Sequence, residues 1–122
     1  MLQNALPTVF LLGGVGALSR YAVLVLASRL TGPFPSGIII VNTLAALIGS
    51  ALVAAEAPES IGLALGGGFV GSLGTLSSLC SETIALAERR RLGEIALFLG
   101  LTLVTGVFAT LAGFSIGEAL HD

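Results

Sequence analysis

Four long apolar stretches limit the folds that this sequence can adopt. They cover about residues 6–27, 37–55, 61–87 and 95–119, and short polar connections separate them. Each is close to the roughly 20 residues that a helix needs to cross a bilayer. Inside a bilayer, a helix satisfies its own backbone hydrogen bonds without water. The sequence therefore predicts an all-α membrane protein with four transmembrane helices.

The composition agrees with a membrane protein that has no soluble part. Hydrophobic residues make up 55% of the 122 residues, charged residues make up 10%, and the mean hydropathy is +1.05. A soluble domain carries about 25% charged residues. We therefore expect one transmembrane domain over residues 1–122, without an internal repeat.

The basic residues predict how the chain is oriented. All five are arginines in or near the first loop (28–36) and the third loop (88–94): Arg20, Arg29, Arg89, Arg90 and Arg91. Basic loops stay in the cytoplasm. We expect both of these loops inside and both termini outside, in one fixed orientation. The arginine run of the third loop is read as a topological anchor, with a lipid-headgroup or regulatory site as the alternative.

Nothing in the sequence has the pattern of an enzyme. His121 lies next to the C-terminus, and Cys80 is the single cysteine, so no His/Cys cluster indicates a metal site. The glycines of 13–16 lie inside an apolar stretch, and no Lys-Ser/Thr pair follows them as in a phosphate-binding loop. We expect neither a catalytic site nor a nucleic-acid partner.

The third apolar stretch contains a segment that a membrane helix normally avoids. Residues 66–82, GGGFVGSLGTLSSLCSE, place glycines, then hydroxyls, then a carboxylate within about five turns. Glycine weakens a helix. Non-helical backbone at membrane depth is tolerated where it is buried in protein or lines a wet cavity. The segment predicts a break near the middle of the third span and an ion or substrate pathway beside it.

Three polar residues within or beside the apolar stretches are candidates for that pathway. Arg20 either snorkels to the headgroups or draws anions into a vestibule. Asn42 forms an interhelical hydrogen bond or offers its amide donors to a pathway. Glu82 pairs with Arg20, caps a hydrogen-bond network or faces a wet vestibule.

The fourth span adds hydroxyl groups. Thr102 and Thr105 lie on one helical face, and Thr110 follows them. Each bonds its own backbone carbonyl, as threonine usually does in a membrane helix, or contributes to a hydroxyl track.

Pairs of small residues four positions apart predict close helix contacts, as at Gly13/Ala17, Gly62/Gly66, Gly67/Gly71 and Gly113/Gly117. Because four short helices leave little room for a solute path, we expect at least a dimer.

Three sequence blocks, in this order and spacing, resemble the CrcB/Fluc family of fluoride channels. They are GGVGALSRY at 13–21, GIIIVNT at 37–43 and GFVGSLGTLSSLCSE at 68–82. The resemblance implies a small dual-topology channel in which two antiparallel subunits form two narrow fluoride pores. Such a channel lies in the plasma (inner) membrane of a bacterium. It exports fluoride down its gradient and so relieves fluoride toxicity in the cytoplasm.

The resemblance also implies roles for individual residues. Asn42 matches the pore asparagine, Ser77 and Ser78 the polar positions beside the pore, Arg20 the vestibule arginine and Glu82 the family's glutamate. Thr102 and Thr105 are further pathway candidates.

A structural sodium ion at the dimer interface is also implied. The backbone carbonyls of Gly74 and Thr75, at the break of the third span, would hold it together with those of the second subunit. Carbonyl oxygens are suitable ligands for such a cation.

The sequence departs from the family pattern at the pore. Leu76 and Leu79 stand where the family has two phenylalanines, whose electropositive ring edges can face an anion. A pore built from these positions is expected to conduct poorly. Because an inverted homodimer also needs a weak charge bias, we expect a heterodimer with an oppositely oriented homologue, with a homodimer as the alternative.

Two other functions remain open at this stage. A non-conducting accessory subunit fits the two leucines. A small proton-coupled multidrug exporter also has four spans, but it needs a carboxylate in the first span, where this chain has Arg20. The expected partners are thus fluoride, an antiparallel homologous subunit and membrane lipid.

Overall fold

The chain is all-helical in the residues that the computed structural model describes, 2–32 and 34–121, with side chains described from Ala5 onward. Four helical stretches in this part are long and apolar enough to cross a membrane, which confirms the predicted all-α protein with four spans. Pro33 of the first loop lies outside the described residues. The three spans without an interruption are α1 (Leu2–Thr31), α2 (Ser36–Ala54) and α6 (Leu92–His121).

The third span consists of several helical pieces. Its first half, 59–73, joins a single turn α3 (Glu59–Ile61), a π-helix (Gly62–Val70) and a second single turn α4 (Gly71–Leu73). Its second half is α5 (Leu76–Glu88). A π-helix is rare and is usually found next to a functional site. Four of the nine π-helical residues are glycines, which add no side-chain preference for the tighter α conformation.

The buried core is small and lies toward the first and third loops. Its main cluster consists of Ile38, Ile39, Leu86 and Phe98, and further residues such as Val41 and Leu73 are buried outside it. Phe98 is completely buried, and its ring meets that of Phe34 edge-on, with ring centroids 6.4 Å apart. The core joins the start of α2 to the end of α5 and the start of α6. It therefore fixes the position of α5 relative to these two helices.

Elsewhere the helices approach one another through glycine. A Cβ atom on Gly113 would collide with the Leu47 carbonyl oxygen, and one on Gly117 with the Ala51 carbonyl oxygen. α2 and α6 thus pack backbone to backbone, as the Gly113/Gly117 spacing predicts.

The first span packs on the π-helix in the same way. A Cβ atom on Gly68 would lie 2.7 Å from the Val9 carbonyl oxygen, and Gly16 lies against Ser72 and Phe69. The chain therefore forms two helix pairs, α1 with the π-helix and α2 with α6, and the interruption of the third span lies beside α2.

Most of the remaining apolar surface points outward. In each span, no more than 22% of the most apolar 18-residue stretch is buried within the protomer. In a bilayer this surface is covered by lipid or by another subunit.

We predict that Gly113→Ala lowers the thermal stability of the purified protein. The added methyl group has no room between α6 and the Leu47 carbonyl oxygen, and overpacking of this kind costs about 1–3 kcal/mol. Gly100→Ala is the matched control, because Gly100 lies on the same helix with nothing within 4 Å of an added Cβ. Thermal unfolding in detergent measures both, and equal melting temperatures would contradict the tight contact.

Candidate functional site

The candidate site is built around a two-residue interruption of the third span. Gly74 has φ −75° and ψ 156°, and Thr75 has φ −149° and ψ 118°, so both residues are extended between helical neighbours. Gly74 and Thr75 together are called the break below. Thr75 is only 7% exposed, so its backbone groups need partners within the protein.

Asn42 of α2 supplies both of those partners. Its side-chain oxygen Oδ1 accepts the Thr75 backbone N–H at 2.6 Å, and its amide nitrogen Nδ2 donates to the Thr75 carbonyl oxygen at 3.1 Å. One primary amide thus replaces the helical hydrogen bonds that the extended residue gives up. Two roles were predicted for Asn42, and the structure shows the first of them, the interhelical hydrogen bond. The second hydrogen atom on Nδ2 is not used in this bond.

The break also starts the next helix. The Thr75 hydroxyl oxygen Oγ1 accepts the backbone N–H of Ser78 at 3.1 Å, which is the usual N-cap arrangement. Gly74 fits closely beside α2, since an added Cβ would lie 3.1 Å from the Ala45 Cβ atom. A glycine is therefore the easiest residue to place there.

A cavity of about 330 Å³ lies next to α5, between this helix and the first loop. Three serines and a carboxylate of α5 line it together with residues of α1, the first loop and α2: Ser77, Ser78, Ser81, Glu82, Leu24, Ser28, Gly32, Phe34, Pro35, Gly37 and Ile38. We call it the serine cavity. The cavity brings together three of the predicted pathway residues, Ser77, Ser78 and Glu82. Ser81 also lines it and was not predicted from the sequence.

The hydroxyl groups of the serine cavity differ in what they bond. Ser28 donates to the Val25 carbonyl oxygen at 2.7 Å. Ser77 makes one long contact with the Thr75 hydroxyl at 3.4 Å. Within the described residues, the Ser78 and Ser81 hydroxyls have no hydrogen-bond partner. They are therefore available to a solute in the cavity.

The charged candidates do not meet each other. Two ion pairs occur among the described residues, Arg91 with Glu94 and His121 with Glu56, and neither involves Arg20 or Glu82. Glu82 lines the serine cavity. Arg20 is half-buried on α1 and is not among the residues that line that cavity.

The threonines of α6 use their hydroxyl protons within their own helix. Thr102 donates to the Phe98 carbonyl oxygen at 2.7 Å, Thr105 to the Leu101 carbonyl oxygen at 2.6 Å, and Thr110 in the same way to Gly106. These hydroxyls can accept a hydrogen bond but have no proton left for an anion. A donor track on α6 is thus not formed in this conformation.

Thr43 is a polar partner that the sequence reasoning omitted. Its hydroxyl donates to the Thr105 hydroxyl oxygen at 2.9 Å and joins α2 to α6. The signal for it in the sequence is its place in the middle of an apolar stretch, directly after Asn42.

Leu76 and Leu79, the two leucines expected at pore positions from the family resemblance, have different surroundings. Leu76 is 73% exposed on the outer face of α5, whereas Leu79 packs against the buried core. An aromatic ring at position 76 would have space in the protomer, and one at position 79 would displace core residues.

We predict that Asn42→Ala destabilises the break itself. Leaving a buried N–H without an acceptor costs about 1–3 kcal/mol, so the backbone amide of Thr75 should exchange faster with deuterated water. Ser50→Ala is the matched control, because Ser50 lies on the same helix and bonds only the carbonyls of Ala46 and Leu47. Hydrogen exchange read by mass spectrometry tests this, and unchanged protection at residues 74–78 in Asn42→Ala would refute it.

Known proteins share this pattern over nearly the whole chain. The family described as CrcB-like protein, Camphor Resistance (CrcB), matches residues 7–114. A protein named fluoride-specific ion channel FluC 1 from Geobacillus kaustophilus (strain HTA426) is 31% identical over 113 residues, which are 92% of this chain and 97% of the relative.

Two relatives named fluoride-specific ion channel FluC are similarly close. The protein from Paracoccus denitrificans (strain Pd 1222) is 36% identical over 98% of both chains. The one from Methylobacterium sp. (strain 4-46) is 34% identical over 88% of this chain and 91% of the relative. With four membrane-spanning helices and a family match over 7–114, this chain belongs to the CrcB family.

Proposed function

We propose that this chain is a subunit of a fluoride-selective channel, through which fluoride leaves a bacterial cell down its gradient. The names of its relatives support fluoride as the permeant ion. The observation that carries the proposal is the pairing of a fixed break in the third span with a cavity that offers uncommitted serine hydroxyls.

The chemistry of the serine cavity fits a small, strongly hydrated anion. Fluoride gives up its hydration water only where other hydrogen-bond donors replace it. Ser78 and Ser81 supply O–H donors, and the free Nδ2 hydrogen of Asn42 supplies one more near the break. Nothing here resembles an enzyme's catalytic arrangement, and a passive conduit needs none.

Arg20 and Glu82 are proposed to act on the ion from a distance. The Arg20 guanidinium raises the local concentration of anions near the first loop. Glu82 carries a charge of the same sign as fluoride and lies on the wall of the serine cavity. We propose that it keeps this part of the path open to water.

A structural sodium ion at the break is also part of the proposal. Residues with extended backbone direct carbonyl oxygens away from a helix axis, and oxygen ligands suit this cation. The Thr75 carbonyl accepts one hydrogen bond, from Asn42, and keeps a second lone pair. Because one chain supplies few ligands, Gly74 and Thr75 of two subunits would have to bind the ion together. The sodium ion would then stabilise the dimer interface electrostatically.

We propose an antiparallel dimer with an oppositely oriented homologue. All five basic residues belong to one side of the predicted topology, which opposes insertion in both orientations. The exposed side chain of Leu76 offers an apolar contact and no electropositive ring edge. The partner would provide the missing phenylalanines, and one of the two pores would be degenerate.

A non-conducting accessory subunit is the second candidate. It is favoured by the position of Leu79, which is part of the packing around the core and does not face the serine cavity. A proton-coupled multidrug exporter is disfavoured, because α1 contains no carboxylate.

We predict that proteoliposomes containing this chain alone release fluoride no faster than protein-free liposomes. Adding an oppositely oriented homologue should produce fluoride efflux, measured with a fluoride electrode, with chloride as the control ion. Fast fluoride efflux from the chain alone would establish a self-sufficient homodimer. No efflux with any partner, from protein that elutes as a folded species, would favour the accessory subunit.

We further predict that the chain inserts in a single orientation when expressed alone. Reporter fusions at the C-terminus should show it outside the cytoplasm, because the basic loops stay inside. Replacing Arg89, Arg90 and Arg91 together by glutamine should produce mixed orientations. Equal populations of both orientations for the unaltered chain would remove the main support for the heterodimer.

A further inference from the structure

Polar contacts between the spans are concentrated at two neighbouring residues of α2. Apart from a hydroxyl contact of Thr31 with Ser36 across the first loop, every side-chain hydrogen bond that joins separate spans in 5–32 and 34–121 involves Asn42 or Thr43. Asn42 bonds the break, and Thr43 bonds α6. α2 is thus the single polar link between the third and fourth spans.

The link to α6 is a short chain of hydrogen bonds. Thr43 donates its only hydroxyl proton to the Thr105 oxygen at 2.9 Å, and Thr105 donates its own to the Leu101 carbonyl oxygen at 2.6 Å. The donation by Thr105 to its own helix fixes the direction of the bond, since only Thr43 has a proton left for the contact. Both hydroxyls are part-buried, and α2 and α6 are apolar around them.

α2 and α6 also meet through apolar and backbone contacts. Among these are glycines against backbone near Gly113 and Gly117 and the core around Phe98, and dispersion contacts of this type have no preferred direction. A hydroxyl pair in a bilayer has no water to replace its partner. Between those two regions, among the residues that the structure describes, the Thr43–Thr105 pair is the side-chain hydrogen bond that joins α2 to α6.

We propose that Thr43 is a positioning residue that fixes α6 relative to the break. Asn42 and Thr43 are consecutive in a helix, so their side chains are about 100° apart around its axis. A single rigid turn of α2 therefore bonds the Thr75 backbone on one side and Thr105 on the other. Its effect on permeation rests on the proposed channel function, whereas the geometric claim does not.

A double-mutant cycle tests the bond directly. Thr43→Val and Thr105→Val each keep the β-branched shape and remove the hydroxyl. If the two hydroxyls bond each other, the double variant should have the melting temperature of the less stable single variant. Additive losses would show that the hydroxyls do not interact and would overturn the proposal. Thr110→Val is the control, because the Thr110 hydroxyl bonds only its own helix.

The positioning role needs a distance measurement. Spin labels can be placed at Leu76→Cys beside the break and Leu103→Cys on α6, since both leucines are mostly exposed, in a Cys80→Ser background. Labelled chain is diluted with unlabelled chain so that an assembly carries one label pair. Thr43→Val should shift or broaden the distance distribution, and Thr43→Ser, which keeps the hydroxyl, should restore it.

A distribution in Thr43→Val that matches the unaltered chain would overturn the proposal. In the assembled channel, fluoride efflux should fall with Thr43→Val and return with Thr43→Ser. A changed distance with unchanged efflux would support the positioning role and overturn its effect on permeation. If the unaltered chain gives no fluoride efflux either alone or with any partner, the proposed channel function fails, while the distances and the cycle still decide the positioning claim.

Discussion

The pairing of the Asn42 amide with both backbone groups of Thr75 is the interaction on which the rest of the site depends. An extended residue inside a bilayer leaves an N–H and a C=O without helical partners, and each would be costly there. A primary amide carries a donor and an acceptor on adjacent atoms, as the backbone does. Because both bonds come from one side chain on α2, the break is held at a fixed height beside this helix, and the start of α5 is fixed with it.

The helices around the break are held by a different kind of contact. α2 and α6 touch backbone to backbone at Gly113 and Gly117, and α1 meets the π-helix at Gly16 and Gly68. Such contacts between small residues bring the helix backbones close together. Direction comes from the few hydrogen bonds at Asn42 and Thr43. Close packing thus brings the helices together, and hydrogen bonds give their contacts a direction. These hydrogen bonds come from a single turn of α2.

The sequence predicts the large features of this fold and misses the small ones for a physical reason. Four apolar stretches are enough to predict four spans, because bilayer thickness sets helix length. The spacing of Gly113 and Gly117 is enough to predict a close contact. The partner of Asn42 is the backbone of a residue 33 positions away, and every residue has the same backbone groups, so no sequence pattern marks it. The π-helix likewise has no marker in the sequence, since glycine permits this conformation without requiring it.

The hydroxyl groups of α5 and α6 differ in whether their protons are already used in hydrogen bonds. The α6 threonines point back to carbonyls four residues earlier in their own helix, so their protons are used whether or not an ion is present. Ser78 and Ser81 of α5 follow the break and line the serine cavity, and their hydroxyls bond no described residue. α5 therefore presents uncommitted hydroxyl donors on the wall of the serine cavity, whereas the three threonine protons of α6 are all used by carbonyls of their own helix.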